Sequence, residues 1–171
     1  MATCLRTYAS TWPKLAVQAS STCGGPRFVD HGNGTMTDAL TGLQWELKTD
    51  DGSLHDQDNV YSWSAGIHEA TGTVFTAFLT TLNGSCFAGH CDWRLPTRAE
   101  LQTLMVPSYP CTTPPCVDLG VVGPTASAFY WSSSTNPTGD GFVWGVQFAS
   151  GVFGAYPKSL EAAARAVRSV R

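Results

Sequence analysis

From residue 27 onward, apolar and polar positions alternate in short runs cut by glycine-rich turns. Arg27-Phe28-Val29-Asp30 and Thr35-Met36-Thr37-Asp38 flank the turn His31-Gly32-Asn33-Gly34, which predicts a β-hairpin. After Thr41-Gly42, the run Leu43-Gln44-Trp45-Glu46 predicts a strand. Residues 48–62 are polar and acidic and read as a loop. Val74, Phe75, Phe78, Leu79 and Leu82 then fall on one helical face, giving a helix from Thr73, its N-cap, to a stop at Asn83-Gly84. A second helix is expected after Pro96, because Thr97 and Glu100 form a T-x-x-E capping box ahead of Leu101, Leu104 and Met105, with Pro107 as the stop. Five prolines and two cysteines make residues 107–127 a long stapled loop. Strands follow at Phe129–Ser133, Gly141–Phe148 and Val152–Tyr156, the last two joined by a turn at Ser150-Gly151. The tail fits two patterns: Leu160–Ala166 has helix propensity, whereas Arg165–Arg171 fits a closing strand. Residues 1–26 lack periodicity and read as an N-terminal extension, with the domain proper at 27–171. The expectation is one α+β domain: two helices on a twisted, mostly antiparallel sheet, with long disulfide-stapled loops.

Composition narrows the setting. Hydrophobic residues make up 43% of the 171, enough for a packed core, and six tryptophans supply aromatic anchors. Charged residues make up only 13%, about half the ordinary share of a globular domain. The net charge of −3 offers no general attraction to nucleic acid or anionic membranes. No run approaches the length of a membrane span, and Met1–Ser20 lacks the apolar stretch of a signal peptide. Acidic residues gather at Glu46, Asp50, Asp51, Asp56 and Asp58. Basic ones gather at Lys158, Arg165, Arg168 and Arg171, with Glu161 among them. The plain expectation is two solvated, mutually attracting surfaces.

The six cysteines form two C-x4-C pairs, Cys86/Cys91 and Cys111/Cys116, which leaves Cys4 with Cys23. Turn formers within both short loops favour local disulfides over a zinc site, and this implies an oxidising location outside the reducing cytoplasm.

Ordered phrases carry a family resemblance: RFVDHGNGTMTDALTGLQWE at 27–46, DWRLPTRAELQTL at 92–104, YWSSS at 130–134, and VWGVQFASGVFGAYPKS with RAVRSVR to residue 171. Together they resemble the C-terminal domain family of the collagen-like adhesin Lcl. The resemblance implies a C-type-lectin-like fold, related to that of formylglycine-generating enzymes, a cell-surface or extracellular location, and adhesin-like binding. It also implies sulfated glycosaminoglycan ligands and a homotrimer, as in the named adhesin. It favours the strand reading of the tail, because Val167-Arg168-Ser169-Val170-Arg171 matches the family's closing V-R-C-V-R with Ser169 at the cysteine. The family's first motif, F-x-D-N-G-D-G-T-V-T-D, is matched with His31 and Asn33 replacing Asn and the second Asp.

Candidate chemistry is modest. Trp93 and Leu95 of Asp92–Thr97 are expected in the core, with Arg94 paired to a buried acid. Ser132–Ser134 lack the surroundings of a nucleophile. Asp50, Asp51, Asp56 and Asp58 offer oxygen ligands that suit calcium, although no cofactor is required by the reading. The late loops, at Thr135, Asn136, Asp140, Tyr156 and Lys158, are the expected ligand-binding surface for a glycan or a protein. Strand alternation would split Arg165 and Arg171 from Arg168, which weakens a continuous basic stripe. Two other functions are weighed: a display scaffold using loops such as Ser132–Asp140, and a copper-dependent thiol oxidase. The second is disfavoured by the prolines and threonines around Cys111 and Cys116. A non-enzymatic binding module is the expectation.

Overall fold

The computed structural model describes residues 26–106, 111–137 and 139–170. The expected Cys4–Cys23 pairing, and the N-terminal extension apart from Pro26, lie outside the described residues. Strands β1 (Phe28–Asp30), β2 (Thr35–Asp38) and β3 (Leu43–Glu46) form an antiparallel meander. Strand β9 (Val167–Ser169) returns to pair with β3, so that Trp45 faces Val167 and Leu43 faces Ser169. The second sheet has five strands: β4 (Val60–Ser62), β8 (Glu161–Ala163), β5 (Phe129–Thr135), β6 (Phe142–Gln147) and β7 (Val152–Pro157), in the spatial order β4-β8-β5-β6-β7. Its pairings are antiparallel except for β5 against β8.

Helices are short. A π-helical turn, Val74–Leu79, runs into α1 (Thr80–Gly84); α2 is Arg98–Gln102 and α3 is Leu119–Val122. The domain is therefore α+β but richer in sheet than expected, with two sheets instead of one. The capping box on α2 forms as read: Thr97 Oγ1 accepts from Glu100 N, and Glu100 accepts from Thr97 N at 2.7 Å. Thr73 makes no such cap. Its hydroxyl instead accepts the Ser62 N–H at 2.9 Å, tying the helix start to β4. Both β4 and α3 lie in segments whose composition reads as loop; each is only one turn or three residues long, too brief to show a period.

Strand β5 explains the large side chains at 130 and 131. Trp131 packs on one face of the sheet with Tyr61, Trp63, Phe78 and Trp93; Tyr130 packs on the other with Met36, Trp45, Leu101, Phe148 and Val167. The five-stranded sheet is thus buried on both faces at β5, whose successive residues serve two separate clusters. Gly145 on β6 makes this possible, since a Cβ there would lie 2.3 Å from the Tyr130 carbonyl and 2.4 Å from the Phe129 ring.

The tail is extended, not helical. Ala162, Ala163, Ala164 and Ala166 are all buried and divide between the two clusters. The alanines that give the segment helix propensity serve here to let a backbone pass through the interior, and packing overrides propensity.

Candidate functional site

The two charged segments do meet, but inside the protein. Glu46, at the end of β3, is fully buried. Its carboxylate accepts from Lys48 Nζ at 3.1 Å, from the Ala166 N–H at 2.9 Å, and lies 2.8 Å from His55 Nδ1. Burial alone would raise the Glu46 carboxyl. The Lys48 ammonium, the His55 contact and the Ala166 amide outweigh it and hold the group below its ordinary value. Arg165 is fully buried and donates to the carbonyls of Glu46, Val122 and Pro124 and to Thr125 Oγ1. Glu46 and Arg165 are structural cross-links, which corrects the expectation of solvated surfaces for these two residues, whereas Asp50, Asp51 and Asp58 are exposed as expected.

The acidic loop is also organised internally. Asp56 accepts from the backbone of Asp51, Gly52 and Asp58, and these bonds hold its carboxyl below the ordinary range. Asp51 accepts from Thr49 and Ser53. Carboxylate oxygens of Asp50, Asp56 and Asp58 lie within 4.8 Å of one another, so three of the four candidate calcium ligands come together, while Asp51 is outside the group.

Of the expected binding residues of the late loops, some are exposed and others are engaged in packing. Thr135 and Asp140 are exposed. Tyr156 stacks on Phe129 with ring centroids 4.6 Å apart and leans on Trp131, as part of the sheet's packing. Asn136 is partly covered. Lys158 is only 5% exposed: its ammonium donates to the His68 carbonyl at 2.8 Å and lies over the Trp63 ring. It is an internal anchor, not a cation presented to a ligand.

Both described cysteine pairs, Cys86–Cys91 and Cys111–Cys116, are disulfides. Trp93 and Leu95 are buried as expected, with Trp93 Nε1 donating to the Phe87 carbonyl. Arg94 does pair with an acid, but with the half-buried Glu100 of α2 and not a fully buried one.

A shallow, open polar cleft of about 520 Å³ lies over the polar face of the four-stranded sheet. Thr37 of β2, Gln44 of β3 and Arg168 of β9 form its floor, His31 and Asn33 come from the β1–β2 turn, and His90 from the Cys86–Cys91 loop. The floor is pre-ordered by its own hydrogen bonds. Arg168 Nη1 donates to Gln44 Oε1 at 2.7 Å, and Gln44 Nε2 donates to Thr35 Oγ1 at 2.8 Å. His31 Nε2 lies 2.8 Å from Thr37 Oγ1. Asp92 neutralises Arg168 through contacts of 2.7 and 3.3 Å, and the arginine holds the Asp92 carboxyl below its ordinary value. The loop carrying His90 holds two non-glycine residues, Cys86 and Ala88, at φ of 48° and 53°, a conformation that costs energy. A smaller hollow of about 160 Å³ is lined only by the segment Ser64–Thr71 and gathers no side chains from other elements.

Apart from Arg168, the cleft residues escape a search for late-loop ligands. Their signal is the alternation along β2 and β3: Thr35, Thr37 and Gln44 alternate with Met36 and Trp45 and so build a polar face opposite the apolar one, with Thr35 and Gln44 buried and Thr37 partly exposed.

Fold and cleft together define a sheet-rich, disulfide-stapled domain with a preformed polar recess. The Lcl C-terminal domain family matches residues 34–168, well over half of the chain, and the protein belongs to that family. No curated protein matches the chain. Membership in an adhesin-like family and the two disulfides are compatible with an extracellular location. Among the described residues, no helix is long and apolar enough to cross a membrane.

Proposed function

We infer that the protein is an extracellular adhesin-like domain with a C-type-lectin-like fold, and that it binds a hydroxyl-rich ligand, a glycan, in the polar cleft over β2, β3 and β9. The observation that carries this is the open recess lined by the accessible polar side chains of His31, Asn33, Thr37 and His90 together with Gln44 and Arg168, which are already ordered by their own hydrogen bonds. Such a lining can exchange hydrogen bonds with sugar hydroxyls, and its ordered floor spends little entropy on binding. The arginine is neutralised in place, so a neutral glycan suits the recess better than a polyanion. Both C-x4-C pairs are closed as disulfides and Cys116 is buried, which supports binding rather than thiol chemistry.

A glycan array, run in calcium and in chelator, tests this reading. Binding to neutral oligosaccharides is expected. Asn33→Ala and His90→Ala, at positions outside the buried core, should each weaken it about tenfold or more with unchanged melting temperature. Calcium should leave affinity unchanged, because the Asp50–Asp56–Asp58 cluster is separate from the cleft lining. Binding that persists in both variants would remove the cleft from the site.

A further inference from the structure

We propose that the outer edge of β7, with the aromatic surface beside it, binds an extended segment of a partner protein that carries an acidic residue between apolar ones. This surface lies on the five-stranded sheet and is independent of the polar cleft.

Three observations converge there. The first is the edge itself. Strands β1, β9 and β4, which end the sheets elsewhere, have three residues each, whereas β7 has six and is paired on one side only among the described residues. Its sequence, Val-Phe-Gly-Ala-Tyr-Pro, contains no charge. Short length, charged side chains and proline are among the devices that keep sheet edges from pairing, and of these β7 carries only Pro157 at its very end, which leaves Val152–Tyr156 open. An unpaired edge of this kind accepts an added strand through main-chain hydrogen bonds.

The second is apolar exposure. Register places Trp144 beside Ala155 and Val146 beside Phe153, so Phe142, Trp144, Phe153 and Ala155 share one face of β6 and β7. Phe142 is 43% and Phe153 36% exposed.

The third is charge. Arg98, the first residue of α2, holds its guanidinium 5.1 Å from the Trp144 ring centroid and 5.8 Å from that of Phe153. Arg27, Lys48, Arg94 and Arg168 each face a carboxylate, and Lys158 and Arg165 are buried on carbonyls. Among the described residues, Arg98 alone keeps an accessible positive charge that no acid meets.

The charge selects the occupant. A second copy paired through its own β7 would bring no acid, since the strand has none, and would gather two Arg98 side chains at one interface. A neutral glycan would leave both Arg98 and the strand edge unanswered. An extended acidic–apolar peptide meets all three features: its backbone pairs with β7, its apolar residues cover Phe153 and Trp144, and its carboxylate reaches Arg98.

The test is a randomised decapeptide display library selected against the full chain. The expected consensus has Asp or Glu at one fixed position with apolar residues at alternate sites. A synthetic consensus peptide should shift the backbone amide resonances of β7. Arg98→Gln, replacement of the peptide's acid by its amide, and N-methylation at alternate peptide bonds should each weaken binding about tenfold or more. The proposal falls if no peptide is enriched, if the enriched peptides lack the acid, or if Arg98→Gln and N-methylation leave affinity unchanged. Arg98-dependent binding of a uronate oligosaccharide without any peptide binding would equally overturn it.

Discussion

Glu46 carries more of this structure than its position at the end of a short strand suggests. Its carboxylate faces Lys48 and His55 and receives the amide of Ala166, so it ties β3, the acidic loop and the closing segment together. Removing one partner of a buried pair leaves an uncompensated charge, and Glu46→Ala should cost about 3–5 kcal/mol in urea unfolding. The pH dependence follows from the depressed carboxyl. Its stabilisation is fully present above the unfolded glutamate value, about 4.3, and is lost as pH falls through the lower folded value. Wild-type stability should therefore fall on acidification below about pH 5, with a steeper slope than that of Glu46→Gln. Equal slopes would show that Glu46 is not held in its charged form. The sequence places Glu46 with the surface acids, because spacing reveals charge clusters but not depth. Only the pairing of β9 with β3, between residues more than a hundred positions apart, puts the carboxylate inside.

At the scale of elements, legibility tracks contact range. The β1–β2 hairpin, β3, the α2 capping box and the β6–β7 turn are set by neighbours in sequence, and they stand where the pattern of residues puts them. The alanine-rich tail is different. Its local preference is helical, and its conformation is decided by the narrow gap between two clusters that the chain builds elsewhere. The split of β5 between those clusters is equally hidden in Tyr130-Trp131, since a run of large residues does not say whether one face or two are covered. Gly145 provides a direct check on this arrangement. A methyl at 145 meets the Tyr130 backbone, which β6 holds in register, so β5 must shift and disturb both clusters. Gly145→Ala should lower stability by about 1–3 kcal/mol or more and broaden side-chain signals from Trp131 and Tyr130 together. Gly139→Ala, where the nearest contact is the Phe142 side chain at 3.4 Å, should be close to neutral. Similar losses at both positions would dismiss close approach as the reason for Gly145.

Across the whole molecule, electrostatics separates this protein from a polyanion-binding surface. The chain has ten Lys and Arg against thirteen Asp and Glu. A sulfated polysaccharide needs several cations converging on one face, and its binding weakens steeply with salt. The described cations do not converge: Lys158 and Arg165 are buried, Arg168 is held by Asp92, and Arg98 stands apart over Trp144. Lys158, Arg165 and Arg168, which the sequence presents as part of one basic group, are instead bonded to carbonyls, Thr125, Gln44 and Asp92 within the fold. A monomer should therefore elute from a heparin column below ~0.15 M salt. Assembly into a homotrimer would change that outcome without any new contact, since three weak sites on one particle gain avidity. Sedimentation run alongside the column distinguishes the two. Late elution that appears only with trimer formation would assign polyanion binding to the assembly. Late elution by a confirmed monomer would mean that cations outside the described residues supply the surface, and the neutral-glycan reading of the cleft would no longer account for the protein's ligand.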